Sequence, residues 1–303
     1  MFLAEIFGYL LNFLYDLLHS YGISIIIFSI IVRIILIPIT INQQKSMKKT
    51  NKIQKEIKII QNKYKNNPEK LNQETMELYK REKMGPFSGC LSGILQIVII
   101  LSVFWLVSSP LTYMKKVKEL DIYKEYETKV AENSSTKSSY KEIAMINLVE
   151  KDYIQISEQL KNENIENKEE LENKRNELNK LRINMNFCGI DLSKVPTQSL
   201  NDFKVYIIPI LYVLSSFISI RLTTNSQNNE NNTNKENENS TEIDAMQSMN
   251  KSMSYMMPIM SVSIAAVAPL GLALYWLISN ILMIIERLII KKIFDSKGEE
   301  KND

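Results

Sequence analysis

The chain has 303 residues, a formal net charge of +3 and a mean hydropathy of -0.13. Its single histidine, His19, lies outside the apolar segments, which excludes a buried catalytic Ser–His or Cys–His pair. No metal-ligand cluster or phosphate-binding glycine loop occurs, so the sequence predicts neither an enzyme nor a metal or cofactor site, and it gives no support to direct nucleic-acid binding. A hydrophilic stretch, residues 115–202, dilutes the mean hydropathy and hides strongly apolar segments.

Five apolar segments approach or exceed the length of about 20 helical residues that spans a hydrocarbon core of roughly 30 Å. They are Gly22–Ile41, Phe87–Met114, Phe203–Leu222, Met253–Ala268 and Leu270–Ile290. The sequence therefore predicts an all-α polytopic membrane protein with five transmembrane helices. The predicted organisation is a surface helix over 1–21, a first span over 22–42, a basic hairpin over 43–85, a second span over 86–114, an outer insert over 115–202, a third span over 203–222, an Asn-rich loop over 223–252, the fourth and fifth spans over 253–292, and a tail over 293–303.

The N-terminal segment has apolar residues near helical spacing, interrupted by Glu5, Asp16 and His19. This pattern predicts an amphipathic helix on the outer membrane surface. An uncleaved anchor, or an extension of the first span, is the alternative. The apolar positions are Ile6, Leu10, Phe13, Leu14, Leu17 and Leu18.

The segment after the first span is rich in lysine. Because Lys and Arg concentrate in cytoplasmic loops, we place it inside the cell, which puts the N-terminus outside and the C-terminus inside. The turn signal at Asn66, Asn67 and Pro68 divides Gln43–Lys83 into two antiparallel helices. The lysines that we expect to matter most for the hairpin are Lys48, Lys49, Lys52 and Lys55.

Two further hydrophilic segments differ in character. Within the outer insert, Tyr153–Arg182 alternates Glu and Lys around periodic Leu and Ile, which predicts either a helical pair or a solvated helix without a partner. The inner segment Thr223–Thr241 is dominated by Asn and Glu, and this composition predicts disorder.

Arg33 lies near the middle of the first apolar span. A charge at that depth costs on the order of 3 kcal/mol on insertion scales, and a plain membrane anchor has no use for it. Such a residue indicates a water-filled cavity, a partner carboxylate, or a side chain that extends to the surface. Since no Asp or Glu lies inside the central spans, the sequence favours the cavity.

Polar residues follow helical spacing on several spans, which predicts a shared hydrophilic groove, although small polar residues also serve to pack helices together. On the first span they are Ser29, Arg33 and Thr40; on the second, Ser88, Ser92 and Gln96; on the third, Tyr212, Ser215, Ser216 and Ser219; on the fifth, Tyr275 with Ser279 and Trp276 with Asn280.

Three stretches of the chain resemble the YidC/Oxa/Alb family of membrane insertases. They are the run from Ile31 to Gln96, the segment MNFCGIDLSKVP at 185–196, and the stretch from Met253 through PLGLALYWLISN. The resemblance implies five helices around a groove open to cytoplasm and lipid. It implies that Arg33 is the groove arginine, that Ser29, Gln96, Tyr275 and Trp276 are groove positions, and that the basic hairpin is needed for activity.

The chain departs from the family pattern at some positions. Relatives often carry proline where Ser92 and Val98 stand, and Ser219 takes the place of a frequent groove glutamine. The outer insert is long for a compact member, and the short tail after Lys292 has mixed charge.

The predicted function is insertion and assisted folding of nascent membrane proteins in the bacterial cytoplasmic membrane. The resemblance implies nascent proteins and the lipid bilayer as partners of a monomer. The Sec channel, the signal recognition machinery and the ribosome are further candidates. A small-anion transporter, in which Arg33 binds the solute, is the main alternative, although such proteins usually show internal repeats that this sequence lacks. The third alternative is a structural membrane scaffold, in which replacement of Arg33 is harmless or stabilising.

Overall fold

The computed structural model describes residues 2–82, 90–132, 140–161, 167–228 and 263–299. The helices are α1 (Phe2–Leu18), α2 (Tyr21–Lys63), α3 (Pro68–Arg81), α4 (Cys90–Ser108), α5 (Asp121–Glu132), α6 (Lys141–Gln159), α7 (Lys168–Leu181), α8 (Ile207–Asn228) and α9 (Leu270–Glu299). A π-helical turn covers Leu111–Lys115, and 3-10 turns cover Pro196–Gln198 and Phe203–Tyr206. The strands β1 (Asn186–Phe187) and β2 (Ile190–Asp191) pair in antiparallel fashion.

The fold is mostly helical, and among the described residues three helices are long and apolar enough to cross a membrane. These segments are Tyr21–Ser46, Phe203–Leu222 and Leu270–Ile290. The second predicted span contains a shorter apolar helix, Ile94–Ser108. Of the fourth predicted span, residues 253–262 lie outside the described part of the chain, and residues 263–267 are helical.

Two compact units make up the chain. One comprises Met1–Ile31 and Val103–Asp303, and the other is Val32–Ser102. Helix α2 is continuous from the first predicted span into the first arm of the hairpin, without a break near residue 42.

Three helix ends differ from the predicted boundaries. Helix α4 ends at Ser108 rather than Met114, because Pro110 lacks the N–H that would continue the helix and its ring crowds the preceding turn. Helix α8 continues to Asn228, so the prediction of disorder from Thr223 onward is wrong for 223–228. Helix α9 continues to Glu299. An established helix gains one hydrogen bond for each added residue, so it extends into segments whose composition alone is unfavourable.

Helix α1 has two apolar sides, where the sequence pattern suggested one. The exposed side carries Phe2, Ile6, Tyr9, Phe13 and Leu17. The buried side carries Ala4, Gly8, Leu11, Leu14 and Tyr15 and packs on the π-helical turn. The sequence pattern included Leu14 of the buried side but not Ala4 and Gly8, because such small residues carry little hydrophobic signal.

Helices α5, α6 and α7 pack against one another around an apolar core. Arg182, which follows α7, binds Glu150 on α6 through two hydrogen bonds of 2.7 and 2.8 Å, and its guanidinium lies 3.6 Å from the ring centre of Tyr153. Glu150 in turn raises the pKa of Arg182. The insert is therefore a packed helical module.

The segment after α7 connects this module to two long helices. The carbonyl of Asn184 accepts a hydrogen bond of 3.2 Å from the N–H of Tyr21, where α2 begins. The carbonyls of Leu192 and Lys194 accept bonds of 2.9 Å from Gly271 and Leu270, where α9 begins. The first N–H groups of a helix have no partner within it, so this segment supplies acceptors at both helix starts.

A buried carboxylate, Glu142, joins α6 to the π-helical turn. It accepts hydrogen bonds from the N–H of Thr112 at 3.0 Å, from the Thr112 hydroxyl, and from the Tyr123 hydroxyl at 3.2 Å. Glu142→Ala would leave three donors without this acceptor, at a cost on the order of 3 kcal/mol. We expect a clear fall in Tm in detergent, and a smaller fall for Glu142→Gln, which keeps one oxygen. Equal falls would contradict this account.

The pH dependence of stability gives a second test of Glu142. Burial raises its pKa above the ordinary value of 4.5, and the bonds from Thr112 and Tyr123 oppose that rise. Because the folded pKa exceeds the unfolded pKa, the stability contributed by this group is fully present below pH 4.5 and is lost as the pH rises through the folded pKa. The Tm of wild type relative to Glu142→Gln should therefore increase on acidification from neutral pH. A constant difference would rule out this titration.

Candidate functional site

Helix α9 carries the aromatic contacts of the predicted site. Tyr275 lies with its ring centre 6.5 Å from that of Phe28 on α2, at an interplanar angle of 46°. The next residue, Trp276, faces Tyr212 on α8, with 6.1 Å between ring centres and an angle of 37°. Tyr212 and Tyr275 are buried and Trp276 is half-buried. Two adjacent residues of α9 therefore contact two different helices.

One helical turn farther along, polar side chains join the same two helices. The Asn280 side-chain amide donates hydrogen bonds of 3.0 Å to the hydroxyls of Ser215 and Ser216 on α8. The Ser215 hydroxyl in turn donates to the carbonyl of Tyr212 at 2.8 Å. Asn280 and both serines are buried. Ser216 and Asn280 belong to the predicted polar stripes but not to the predicted groove residues. Their helical spacing after Tyr212 and Trp276 is the sequence signal that could have identified them.

The hydroxyl of Ser29 forms a hydrogen bond within its own helix. It is 3% exposed and donates to the carbonyl of Ile25 at 2.7 Å. Ser219 is also buried, on α8. The predicted positions Tyr212, Ser215, Ser219 and Tyr275 lie on buried helix faces, and the Ser215 hydroxyl accepts a hydrogen bond that joins α8 to α9.

The remaining predicted groove residues lie in the unit Val32–Ser102. Arg33 is half-buried on α2. Thr40 is half-buried, and its hydroxyl donates to the carbonyl of Leu36 at 3.1 Å. Gln96 on α4 is exposed. This unit thus contains the Arg33 cation and the exposed Gln96 amide on segments whose other residues are mostly apolar.

The helical hairpin in the same unit has a small core and a charged surface. Ile53 and Ile57 of α2 and Leu78 of α3 are at most 4% exposed. Asn67 caps α3 by accepting from the N–H of Lys70 at 3.1 Å, and Pro68 occupies the first turn.

Charged contacts connect the two arms of this hairpin. Arg81 donates to Glu56 at 2.6 Å, and Lys49 donates to the carbonyl of Glu82. Lys52 and Lys55 are exposed, whereas the side chain of Lys48 lies outside the described part of the chain. Surface pairs of this kind add little stability.

Within the described ranges, no group of three or more His, Cys, Asp or Glu side chains could hold a metal ion. The described residues thus include Arg33 on an apolar helix, a basic hairpin, and the pair α8 and α9 with exposed apolar side chains.

A family model described as "60Kd inner membrane protein" matches residues 13–297. Curated proteins named "Membrane protein insertase YidC" are similar to parts of the chain. The protein of Caldanaerobacter subterraneus subsp. tengcongensis is 40% identical over 102 residues, and that of Fusobacterium nucleatum subsp. nucleatum is 41% identical over 107 residues. The protein of Clostridium perfringens is 43% identical over 101 residues. The alignments cover 34%, 35% and 33% of this chain and 50%, 52% and 42% of the relatives, which is about half of each relative's length.

Proposed function

Because the chain belongs to the 60 kDa inner membrane protein (YidC/Oxa/Alb) family, we propose that it inserts nascent membrane proteins into the bacterial cytoplasmic membrane and assists their folding. The reaction makes and breaks no covalent bond. It lowers the barrier that a short hydrophilic segment meets in hydrocarbon, where each charged side chain is costly.

The observation that carries the proposal is Arg33, a half-buried cation on the apolar segment Tyr21–Ser46. We propose that Arg33 lies in a hydrated groove and attracts an acidic hydrophilic segment of the substrate. Two unit charges about 4 Å apart attract by about 4 kcal/mol at an effective dielectric of 20, before desolvation costs. The membrane potential adds about 2.3 kcal/mol per charge per 100 mV and drives a negative segment outward.

The hairpin formed by α2 and α3 would receive substrates on the cytoplasmic side. Its exposed cations include Lys52 and Lys55, and such residues concentrate in cytoplasmic loops. This orientation puts the N-terminus outside and the C-terminus inside. The Sec channel, the signal recognition machinery and the ribosome are the partners that we propose to test at this surface.

The apolar segment of the substrate would leave along α8 and α9. Both helices expose large apolar side chains, among them Leu214 and Phe217 on α8 and Ile281 and Ile285 on α9. A path open to lipid lets that segment exit sideways, so the proposal needs no closed pore.

The proposal is tested by complementation of an insertase-depleted bacterium with the full chain. We expect growth, and insertion of a single-span test protein with a short acidic N-terminal segment, measured by protease protection. Failure with normal amounts of protein in the membrane would refute the proposal. In that event, anion flux into vesicles containing the purified chain would identify a transporter.

A further inference from the structure

Helices α8 and α9 are joined by a short chain of hydrogen bonds inside their contact. The Asn280 amide donates hydrogen bonds to the hydroxyls of Ser215 and Ser216 at 3.0 Å each. The Ser215 hydroxyl in turn donates to the carbonyl of Tyr212 at 2.8 Å. Asn280 is 8% exposed. We call these three side chains, Asn280, Ser215 and Ser216, the amide clamp.

The amide clamp is selective for one arrangement of the two helices. Both N–H groups of one amide are used, and their acceptors are adjacent residues of α8. A slide of one helical turn, about 5.4 Å, would remove both bonds at once. Burying an amide without partners is costly in apolar surroundings, so neighbouring registers are disfavoured even though apolar packing alone would tolerate them.

The residues next to the amide clamp point to its use. Leu214 precedes Ser215, and Ile281 follows Asn280; both are exposed apolar side chains, 56% and 39% exposed. Because each adjoins a clamp residue, a rotation or slide of either helix at the clamp would displace Leu214 relative to Ile281. The clamp therefore sets how the two exposed apolar rows lie beside each other.

We propose that Asn280 is a positioning residue, which holds α8 and α9 in one register so that their exposed apolar rows form a single path for the substrate's apolar segment. This inference rests on the proposed insertase function for the identity of the occupant. The register itself is a property of the chain without substrate.

The first test needs no substrate. Spin labels at Leu214 and Ile281 of the full chain in lipid vesicles report the distance between α8 and α9. We expect one narrow distance distribution for wild type and a broadened or two-peaked one for Asn280→Leu, which has similar volume and no amide. The pair Ser215→Ala and Ser216→Ala should give the same broadening, and adding Asn280→Leu to this pair should change nothing more.

The matched control is Ser102→Ala, which removes a buried hydroxyl that donates to the Val98 carbonyl of its own helix. This variant should leave the distribution narrow. If Asn280→Leu also leaves it narrow, or if its effect adds to that of the serine pair, the clamp does not set the register. Ser216→Ala removes only one bond and serves if Asn280→Leu does not fold.

The second test uses the acidic-tailed single-span test protein. A photo-crosslinker at Phe217 on α8 or Ile285 on α9 should capture it at both positions in wild type. In Asn280→Leu the ratio of the two yields should shift by about threefold or more at equal amounts of folded protein. An unchanged ratio would overturn the positioning role. If wild type captures no substrate, the insertase proposal fails instead, and the spin labels alone decide the register.

Discussion

Gly8→Ala is expected to detach α1 from the π-helical turn and to lower the stability of the protein. A Cβ at position 8 would lie 1.9 Å from the carbonyl oxygen of Tyr113 and 2.7 Å from its carbonyl carbon. Alanine adds about 1 kcal/mol of helix propensity, but a clash with main-chain atoms cannot be relieved by a side-chain rotation. The helix must move away, and the buried contacts of Ala4 and Leu11 loosen with it.

We expect a net loss on the order of 3 kcal/mol for Gly8→Ala, seen as a lower Tm in detergent and faster proteolysis near residue 18. The matched control is Gly271→Ala in α9, where the new Cβ would meet Tyr21 at 3.4 Å and Val107 at 3.5 Å. That substitution should be tolerated far better. Equal stabilities for the two variants would show that α1 does not pack closely on the turn.

Arg33→Ala is expected to reduce insertion of an acidic-tailed test protein by about tenfold or more, while Arg33→Lys keeps most of the activity. A unit negative charge about 4 Å from Arg33 would be attracted by about 4 kcal/mol at an effective dielectric of 20, before desolvation. A loss of about 1.4 kcal/mol of stabilisation at the barrier already changes a rate tenfold. Lysine keeps the charge but not the planar guanidinium, so its activity reports whether charge alone suffices.

The Arg33 variants should be compared at equal amounts of protein in the membrane. Their thermal stability should be measured alongside, so that a loss of insertion can be separated from a loss of folding. If Arg33→Ala inserts the test protein as well as wild type does, the charge is not part of the mechanism. That outcome is also the one that a structural scaffold predicts.

Long apolar segments predicted the helices best, for a physical reason. The ends of the third and fifth predicted spans coincide with the segments Phe203–Leu222 and Leu270–Ile290, because a run of about 20 apolar residues has few alternatives to a spanning helix. Helix ends were harder to predict. Pro110 alone divides what reads as one apolar run, and α8 continues through polar residues.

The contacts within the candidate site depend on which helices become neighbours, and periodicity carries no such information. Ser215 and Tyr275 each belong to a polar stripe, yet the sequence does not say that Ser215 meets Asn280 or that Tyr275 meets Phe28. A polar stripe predicts that a helix face has a partner or water. The hydrogen bonds of Ser215 and Ser29 assign these two hydroxyls to protein partners.

The buried side of α1 was only partly predicted, because the pattern included Leu14 but not the small residues Ala4 and Gly8. Ala4 and Gly8 contribute almost nothing to an apolar pattern, but they allow the close approach that larger residues forbid. The large apolar residues Ile6, Phe13 and Leu17 dominate the sequence pattern, and they lie on the exposed side of the helix.

The central claim is that Arg33 acts on the negative charge of the substrate. The most direct measurement compares two test proteins, identical except that one has Asp and the other Asn in its short hydrophilic segment, each inserted by wild type and by Arg33→Ala. The account predicts that Arg33→Ala impairs insertion of the acidic protein by about tenfold and that of the neutral protein by much less, so that the two changes are coupled. Equal impairment of both proteins would contradict the claim, because Arg33 would then act without regard to the charge it is proposed to attract.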